Sequence, residues 1–395
     1  MALGIYISVP FCRTKCSYCN FASDVFSRVV FERYVARVCS DIARAANTSA
    51  EMGGQMERSV DSIFLGGGTP TVLESGQLER IFAAVREEFE VQPDAEITVE
   101  CAPGTLTPAV LECLLRCGVN RVSLGVQSFV DAEAAAVGRQ HKRATVLDDI
   151  ARLRAAGISN INVDLIAGLP HQTAESWETS LEETIETEVP HASVYMLEVD
   201  EESRLGREVM AGGTRYHAHF VPDEDTTADF YLGACAKLEA AGIAQYEISN
   251  FATNGMESRH NLKYWHRQPY LGFGVDAHSM LASANPDADA VRFAAADTLE
   301  RYVADAPFQR SEVSWQAALE ESLFLGLRLT RGVNLRDLAL KFGEESIKES
   351  GRAIAEFVAG GLMQRDGARV RLTAQGRLLS NEVFERFILD QKVAL

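Results

Sequence analysis

Three stretches of the chain repeat one pattern: Leu114-Leu115-Arg116-Cys117-Gly118-Val119-Asn120-Arg121-Val122, Leu153-Arg154-Ala155-Ala156-Gly157-Ile158-Ser159-Asn160-Ile161, and Leu238-Glu239-Ala240-Ala241-Gly242-Ile243-Ala244-Gln245-Tyr246. Each reads as a helix end, a glycine stop and a strand. A glycine just past a helix C-terminus takes the left-handed conformation that other residues resist, and the β-branched residues after it suit a buried parallel strand. The glycines lie 39 and 85 residues apart, about one and two βα repeats. Extending the pattern predicts strands near 4–9, 61–66, 96–100, 121–126, 161–166, 193–198 and 244–249. Helices are predicted near 30–46, 75–90, 108–117, 145–156, 175–187 and 226–241. This alternation implies an α/β fold, a complete or partial parallel (β/α) barrel over 1–250, with chemistry at the C-terminal ends of its strands.

Near residue 250 the alternation stops, leaving 251–310 as a connecting segment. From 315 helical patterns follow at 316–328, 334–341 and 346–359, then a hairpin around Asp366-Gly367 and a last helix from about 374. The 311–395 region therefore resembles a winged-helix module, mainly helical. Charge argues against its acting on DNA. The chain carries −18, yet 311–395 holds 12 basic and 12 acidic residues, so the whole excess lies in 1–310. Such a surface repels nucleic acid and anionic lipid. A basic start with a long apolar run is absent from the N-terminus, and no 18-residue apolar span occurs; the cytoplasm is the expected compartment.

The chemistry starts at Phe11-Cys12-Arg13-Thr14-Lys15-Cys16-Ser17-Tyr18-Cys19-Asn20-Phe21, spaced C-x3-C-x2-C. Three thiolates in one short loop can hold three irons of a [4Fe–4S] cluster and leave the fourth iron open. A structural zinc loop is the alternative, but zinc sites usually close with four ligands in two C-x2-C or H-x3-H pairs, and no second pair of that spacing appears. Reduced thiols fit a reducing compartment.

A glycine turn, Gly66-Gly67-Gly68-Thr69-Pro70, ends the second predicted strand, where backbone N–H groups can approach a ligand closely. It lacks the Lys-Ser/Thr of a P-loop, and tight packing alone is the other reading. Polar residues stand at further strand ends: Glu100, Gln127 and Asp164, with Arg139 as the available cation. A carboxylate within an apolar strand is costly unless paired or bound to a ligand.

Together these residues resemble the radical S-adenosylmethionine (SAM) superfamily, in its branch of oxygen-independent coproporphyrinogen III oxidases and relatives. The resemblance spans about 1–385 and implies a radical SAM barrel with a [4Fe–4S] cluster, SAM and an electron donor for the cluster. It assigns Cys12, Cys16 and Cys19 to the cluster. Tyr6, Tyr18, Gly67, Gly68, Thr69, Glu100, Gln127, Arg139 and Asp164 fall to SAM, with Tyr18 packed on the adenine. The oxidases carry a further cysteine two residues after the third ligand and a long extension before the loop. Here Phe21 occupies that position and 11 residues precede Cys12. Both differences argue against oxidase activity.

A last run, His260-Asn261-Leu262-Lys263-Tyr264-Trp265, resembles the H-N-x-x-Y-W signature of heme chaperones related to those oxidases. That resemblance implies heme as cargo, an acceptor hemoprotein, with a membrane-associated one among the possibilities, and His260 as an axial ligand beside flat aromatic faces. A local hydrogen-bonding role for His260 is the alternative. In Tyr216-His217-Ala218-His219-Phe220 the two histidines could bind a metal at i, i+2 if the segment is extended, but its place in a Gly-rich, loop-like insertion reads as a solvated loop.

Overall fold

The computed structural model describes residues 1–388; the end of the 311–395 region, 389–395, lies outside the described residues. Six parallel strands form the barrel wall in chain order: β1 (Leu3–Val9), β2 (Ser59–Gly67), β3 (Glu90–Cys101), β4 (Arg121–Gln127), β5 (Asn160–Ala167) and β6 (His191–Met196). Helices Arg28–Ala43, Ser75–Glu88, Pro108–Arg116, Arg143–Ala155 and Ala174–Glu186 occupy the successive crossovers. The three repeat glycines adopt φ of +75°, +91° and +80°, as the pattern requires. Helix starts are marked by sequence too. Thr107 accepts from the Val110 N–H ahead of Pro108, and Thr173 forms a reciprocal capping box with Ser176.

Residues along each of these parallel strands alternate in character. Ile5, Ile7 and Val9, Ile63 and Leu65, and Ile161, Val163 and Leu165 are fully buried in the main hydrophobic core. Their neighbours Tyr6, Ser62, Glu100, Ser123, Asn162 and Asp164 contact one another or His260, from β1 to β5, inside the barrel. The wall thus has an oily outer face and a polar lumen, the period-two division of a pleated strand.

The sheet departs from a closed barrel at both edges. Beside β6 lie β7 (Ala244–Glu247) and β8 (Asn250–Ala252), which run antiparallel, so the 244–249 segment ends the barrel as a tight hairpin and is not a further βα repeat. On the other side β9 (Tyr270–Gly274) pairs parallel with β1, followed by antiparallel β10 (His278–Ser283), β11 (Ala288–Ala294) and β12 (Gln309–Ser314). Most of 270–314 is therefore sheet.

The C-terminal region has its own core, with Leu319, Leu323, Leu327, Ile354, Val370 and Val383 buried together. Helices Trp315–Arg328, Leu335–Phe342 and Glu344–Ala359 accompany a three-stranded wing of Val333–Asn334, which follows the first helix, and Met363–Asp366 and Arg369–Leu372, which follow the third. Buried ion pairs fasten it to the sheet. Arg267 binds Asp289 at 2.9 Å and Glu321 at 2.7 Å, and Arg328 reaches the fully buried Glu247 at 3.2 Å.

Candidate functional site

The cysteine loop leaves β1 and crosses the C-terminal ends of the strands, held by backbone bonds from several directions. Cys12 N–H donates to Asp24, Ser17 N–H to Val137, and Leu205 N–H to Ser17. Lys15 Nζ donates to the carbonyls of Phe21 (2.9 Å) and Ser23 (2.5 Å), and Arg204 donates to those of Lys15 and Cys16. The loop's shape is thus fixed by groups other than its thiols. All three cysteines are free, and Cys16 and Cys19 lie close enough to raise the Cys12 pKa, after burial, which is the larger cause.

The glycine turn is joined to this loop. Gly68 N–H donates to Val9 O and Thr69 N–H to Phe11 O, both at 2.7 Å, and Thr69 Oγ1 stands 4.0 Å from Cys12 Sγ. A Cβ on Gly68 would lie 2.6 Å from Phe11 O and 3.0 Å from Cys12 Sγ. Gly67, at φ +102°, gives its N–H to Glu100 at 3.1 Å. These close approaches require glycine. They form a cradle beside Cys12 that any side chain would fill.

Around the cradle the lumen collects charge. Glu100 is pushed up to about 8 by burial and then by Asp164, against the Gly67 bond and the positive charge of Arg139. Burial likewise raises Asp164, which accepts from Asn162 (2.7 Å) and Ser123 (3.2 Å). Gln127 sits at a bulge in β4 with φ +70°, and its Nε2 and the Arg139 guanidinium flank Gly125, each 3.1 Å from where a Cβ would be. Arg139 donates to Tyr18 Oη at 3.0 Å. Tyr18 packs against the Val137, Ile166, Leu169 and Leu205 cluster. Tyr6 lies deeper, 6.1 Å from the Phe64 ring. Two buried carboxylates, with the charges of Arg139 and the buried Arg121 acting on them, make a site that gains from a ligand bearing both charges.

His260 stands elsewhere. It is 1% exposed, with Nδ1 3.0 Å from Ser62 Oγ and Nε2 2.9 Å from Tyr264 Oη, so both ring nitrogens have partners. Burial and nearby Lys263 lower its pKa to about 3, keeping the ring neutral. Its helix, Arg259–Trp265, is N-capped by Ser258 and by the Glu96 carboxylate, which accepts from the Arg259 and His260 N–H groups at 3.0 Å each. Lys263 binds Asp61 and Ala2 O. Ser62 and Glu96 lie in register with Gly4 at the start of β1, so the helix plugs the floor of the barrel. Gly67 lies five steps along β2 from Ser62, roughly 16 Å at the strand rise. With both ring nitrogens hydrogen-bonded here, an axial iron at His260 would have to displace Ser62 or Tyr264.

A polar chain beneath the site was not singled out from the sequence. His191 contacts Asn162 (2.6 Å) and Tyr246 (2.9 Å), and Ser193 donates to Asn250 (2.8 Å). Its signal was there, as polar residues at period two in β5 and β6, where apolar runs were expected.

Comparison with known proteins decides the family. Residues 6–184 match the model of the Radical SAM superfamily, and 313–379 that of the HemN C-terminal domain. The chain is 33% identical to the heme chaperone HemW of Lactococcus lactis, over 98% of this chain and 97% of the relative. The Bacillus subtilis HemW is 35% identical over 97% and 98%. The chain belongs to the HemW family. Members of the radical SAM superfamily, which contains it, typically bind SAM and a [4Fe–4S] cluster. Its fold matches the coproporphyrinogen III oxidase HemN from Escherichia coli with a TM-score of 0.83 at 23% identity, over 98% of this chain and 90% of that one. Among the described residues no helix is long and apolar enough to cross a membrane.

Proposed function

We propose that this chain is a heme chaperone: it takes up an iron porphyrin and passes it to an apo-hemoprotein. End-to-end similarity to heme chaperones carries the reading. Phe21 supports it, being 65% exposed where the oxidases bear a further cysteine, so that the loop offers an apolar surface in place of a thiol.

Cys12, Cys16 and Cys19 hold the cluster, with Gly68 and Thr69 keeping the space beside Cys12 clear. Gly67, Gly68, Thr69 and Glu100 receive the amino end of SAM, while Arg139 and Gln127 face its carboxylate and Asp164 completes the shell. Protonated in the free site near neutral pH, Glu100 gives up its proton when an ammonium arrives. Tyr6 closes the lumen beneath. In the superfamily a reduced cluster cleaves bound SAM to a 5′-deoxyadenosyl radical. Reduction calls for an external electron donor, a protein partner alongside the heme acceptor.

Anaerobic reconstitution tests the proposal. Heme titrated into cluster-loaded protein is expected to give a stoichiometric Soret change and to move to an apo-hemoprotein on mixing. Sustained turnover of coproporphyrinogen III without heme transfer would falsify it.

A further inference from the structure

Arg121 opens β4 and is the largest fully buried side chain among the described residues, at 2% exposure. Two residues on, Ser123 bonds Asp164 inside the barrel, so the period-two division of the strand turns Arg121 into the lumen as well. Its positive charge reaches Glu100, Asp164, His191 and His260, all groups of the lumen. Yet it binds none of them. The arginines near the floor are paired, Arg267 with Asp289 and Glu321, and Arg328 with Glu247. Among the described residues Arg121 forms no ion pair, and its Nε has no hydrogen-bond partner. A buried guanidinium whose fork of N–H donors is unused is costly, and an anion relieves the cost.

Its neighbours share the deficit. Thr98 on β3 and Asn160 on β5 lie in register with Arg121, and Thr98 Oγ1 and Asn160 Oδ1 lack partners too. In-register residues of adjacent strands point the same way, so three side chains leave polar atoms unsatisfied at one level of the wall. The levels on either side are bonded. Above, Ser123, Asn162 and Asp164 bind one another; below, Ser62 and Glu96 bind the floor helix. The lumen is open higher up on the β6 side. There Tyr195, on the same face as Ser193, is 42% exposed although the charges of Asp164, Glu247 and Glu100 all reach its hydroxyl.

We infer that Arg121 anchors a carboxylate of the bound iron porphyrin, with the Thr98 hydroxyl donating beside it. The inference rests on the chaperone reading and deepens it. SAM brings one carboxylate, which Arg139 and Gln127 face at the mouth, so the deeper cation is left for the other ligand, whose propionates are carboxylates. Phe64, in register with Thr98, lies with its ring 5.4 Å from that of His260, so a ligand held at Arg121 is within reach of the floor helix. A guanidinium grips a carboxylate through two parallel N–H bonds and fixes its direction, which an ammonium does not.

The test is titration of the full chain, cluster-loaded and with SAM bound, with hemin and with hemin dimethyl ester, whose carboxylates are blocked. The wild type is expected to prefer hemin by roughly tenfold to a hundredfold, the range of a charge-assisted bond. Arg121→Gln should erase that preference by weakening hemin alone, and Arg121→Lys, which keeps the charge and loses the fork, should fall between. SAM affinity in equilibrium dialysis should stay as it is in both variants. Thermal unfolding separates an anchor from a structural residue: removing an unpaired buried charge should leave the Tm of the unloaded Arg121→Gln chain unchanged or raise it. Should that variant fail to fold, the wild-type and Arg121→Lys arms still decide. Equal affinity of the wild type for hemin and its ester, or a preference left intact in the variants, overturns the anchor and leaves the chaperone reading standing. Loss of SAM affinity with hemin binding unchanged assigns the cation to the SAM carboxylate and overturns it too. Absence of hemin binding by the wild type overturns both.

Discussion

The two ends of the barrel are built from similar residues and do opposite things. At the floor, Glu96 accepts from two backbone N–H groups, His260 uses both ring nitrogens and Lys263 is paired with Asp61. At the mouth, Glu100 and Asp164 crowd one another, Gln127 and Gly67 hold positive φ, and glycines keep space open beside Cys12. Satisfied polar groups stabilise a structure, whereas crowded charge and strained backbone are tolerated where a ligand relieves them. The difference teaches that a histidine's value as a ligand depends on what its neighbours leave free.

The comparison can be broken most forcefully at the mouth. Replacing Cys12, Cys16 or Cys19 by Ala should abolish cluster absorbance on anaerobic reconstitution, since three protein ligands leave no spare. Thermal unfolding of the unloaded chain should barely move, because Lys15 and Arg204 hold the loop through its carbonyls. A large fall in Tm would show that the thiols themselves support the fold.

At the floor the signs reverse. His260→Ala strands Ser62 and Tyr264 and opens a cavity, and should cost roughly 2–5 kcal/mol in denaturant unfolding. The cluster spectrum should be retained at temperatures where the variant is folded. Loss of the cluster with unchanged stability would move His260 to the functional side of the comparison.

Gly68→Ala is a smaller and more local test. Its methyl would meet Phe11 O at 2.6 Å, so strain of about 1–3 kcal/mol is expected, with SAM affinity in equilibrium dialysis falling more than stability does.

The mildest test is a pH profile. Glu100 titrates at about 8 when folded, well above an unfolded carboxyl, so the folded chain binds the extra proton. Its stability contribution is full below the unfolded value near 4.5 and is lost as pH rises through 8. A ligand ammonium favours the charged form. SAM affinity should therefore rise from pH 6 to about 8 and level off, with proton uptake by the buffer on binding, while Glu100→Gln flattens the profile. An unchanged profile in that variant would detach the pH dependence from Glu100.

Much of this architecture was legible because it follows from local chemistry. The helix–glycine–strand pattern and its extension place β1, β2, β4 and β5 within two residues; β3 begins six residues earlier than expected and β6 is displaced by two, where His191 and Ser193 replace the apolar run that marks a buried strand. The edge strands β9–β12 carry no clear strand pattern, since Tyr270–Gly274 contains two glycines and Ala288–Ala294 three alanines, weak strand formers that pairing with β1 and β10 stabilises. The cysteine loop and the glycine turn were found separately by spacing. Only the backbone bonds from Gly68 and Thr69 to Val9 and Phe11 show them as one unit.

The sequence by itself determined the parallel barrel, the winged C-terminal region and which residue types gather at the strand ends, because helix stops, strand periodicity and cysteine spacing are local properties. Tertiary structure decided how those residues are used. It gave both nitrogens of His260 partners at the floor and joined the glycine turn to the cysteine loop at the mouth. Those uses are set by partners distant in sequence: Ser62 lies 198 residues from His260, and Thr69 lies 57 from Cys12.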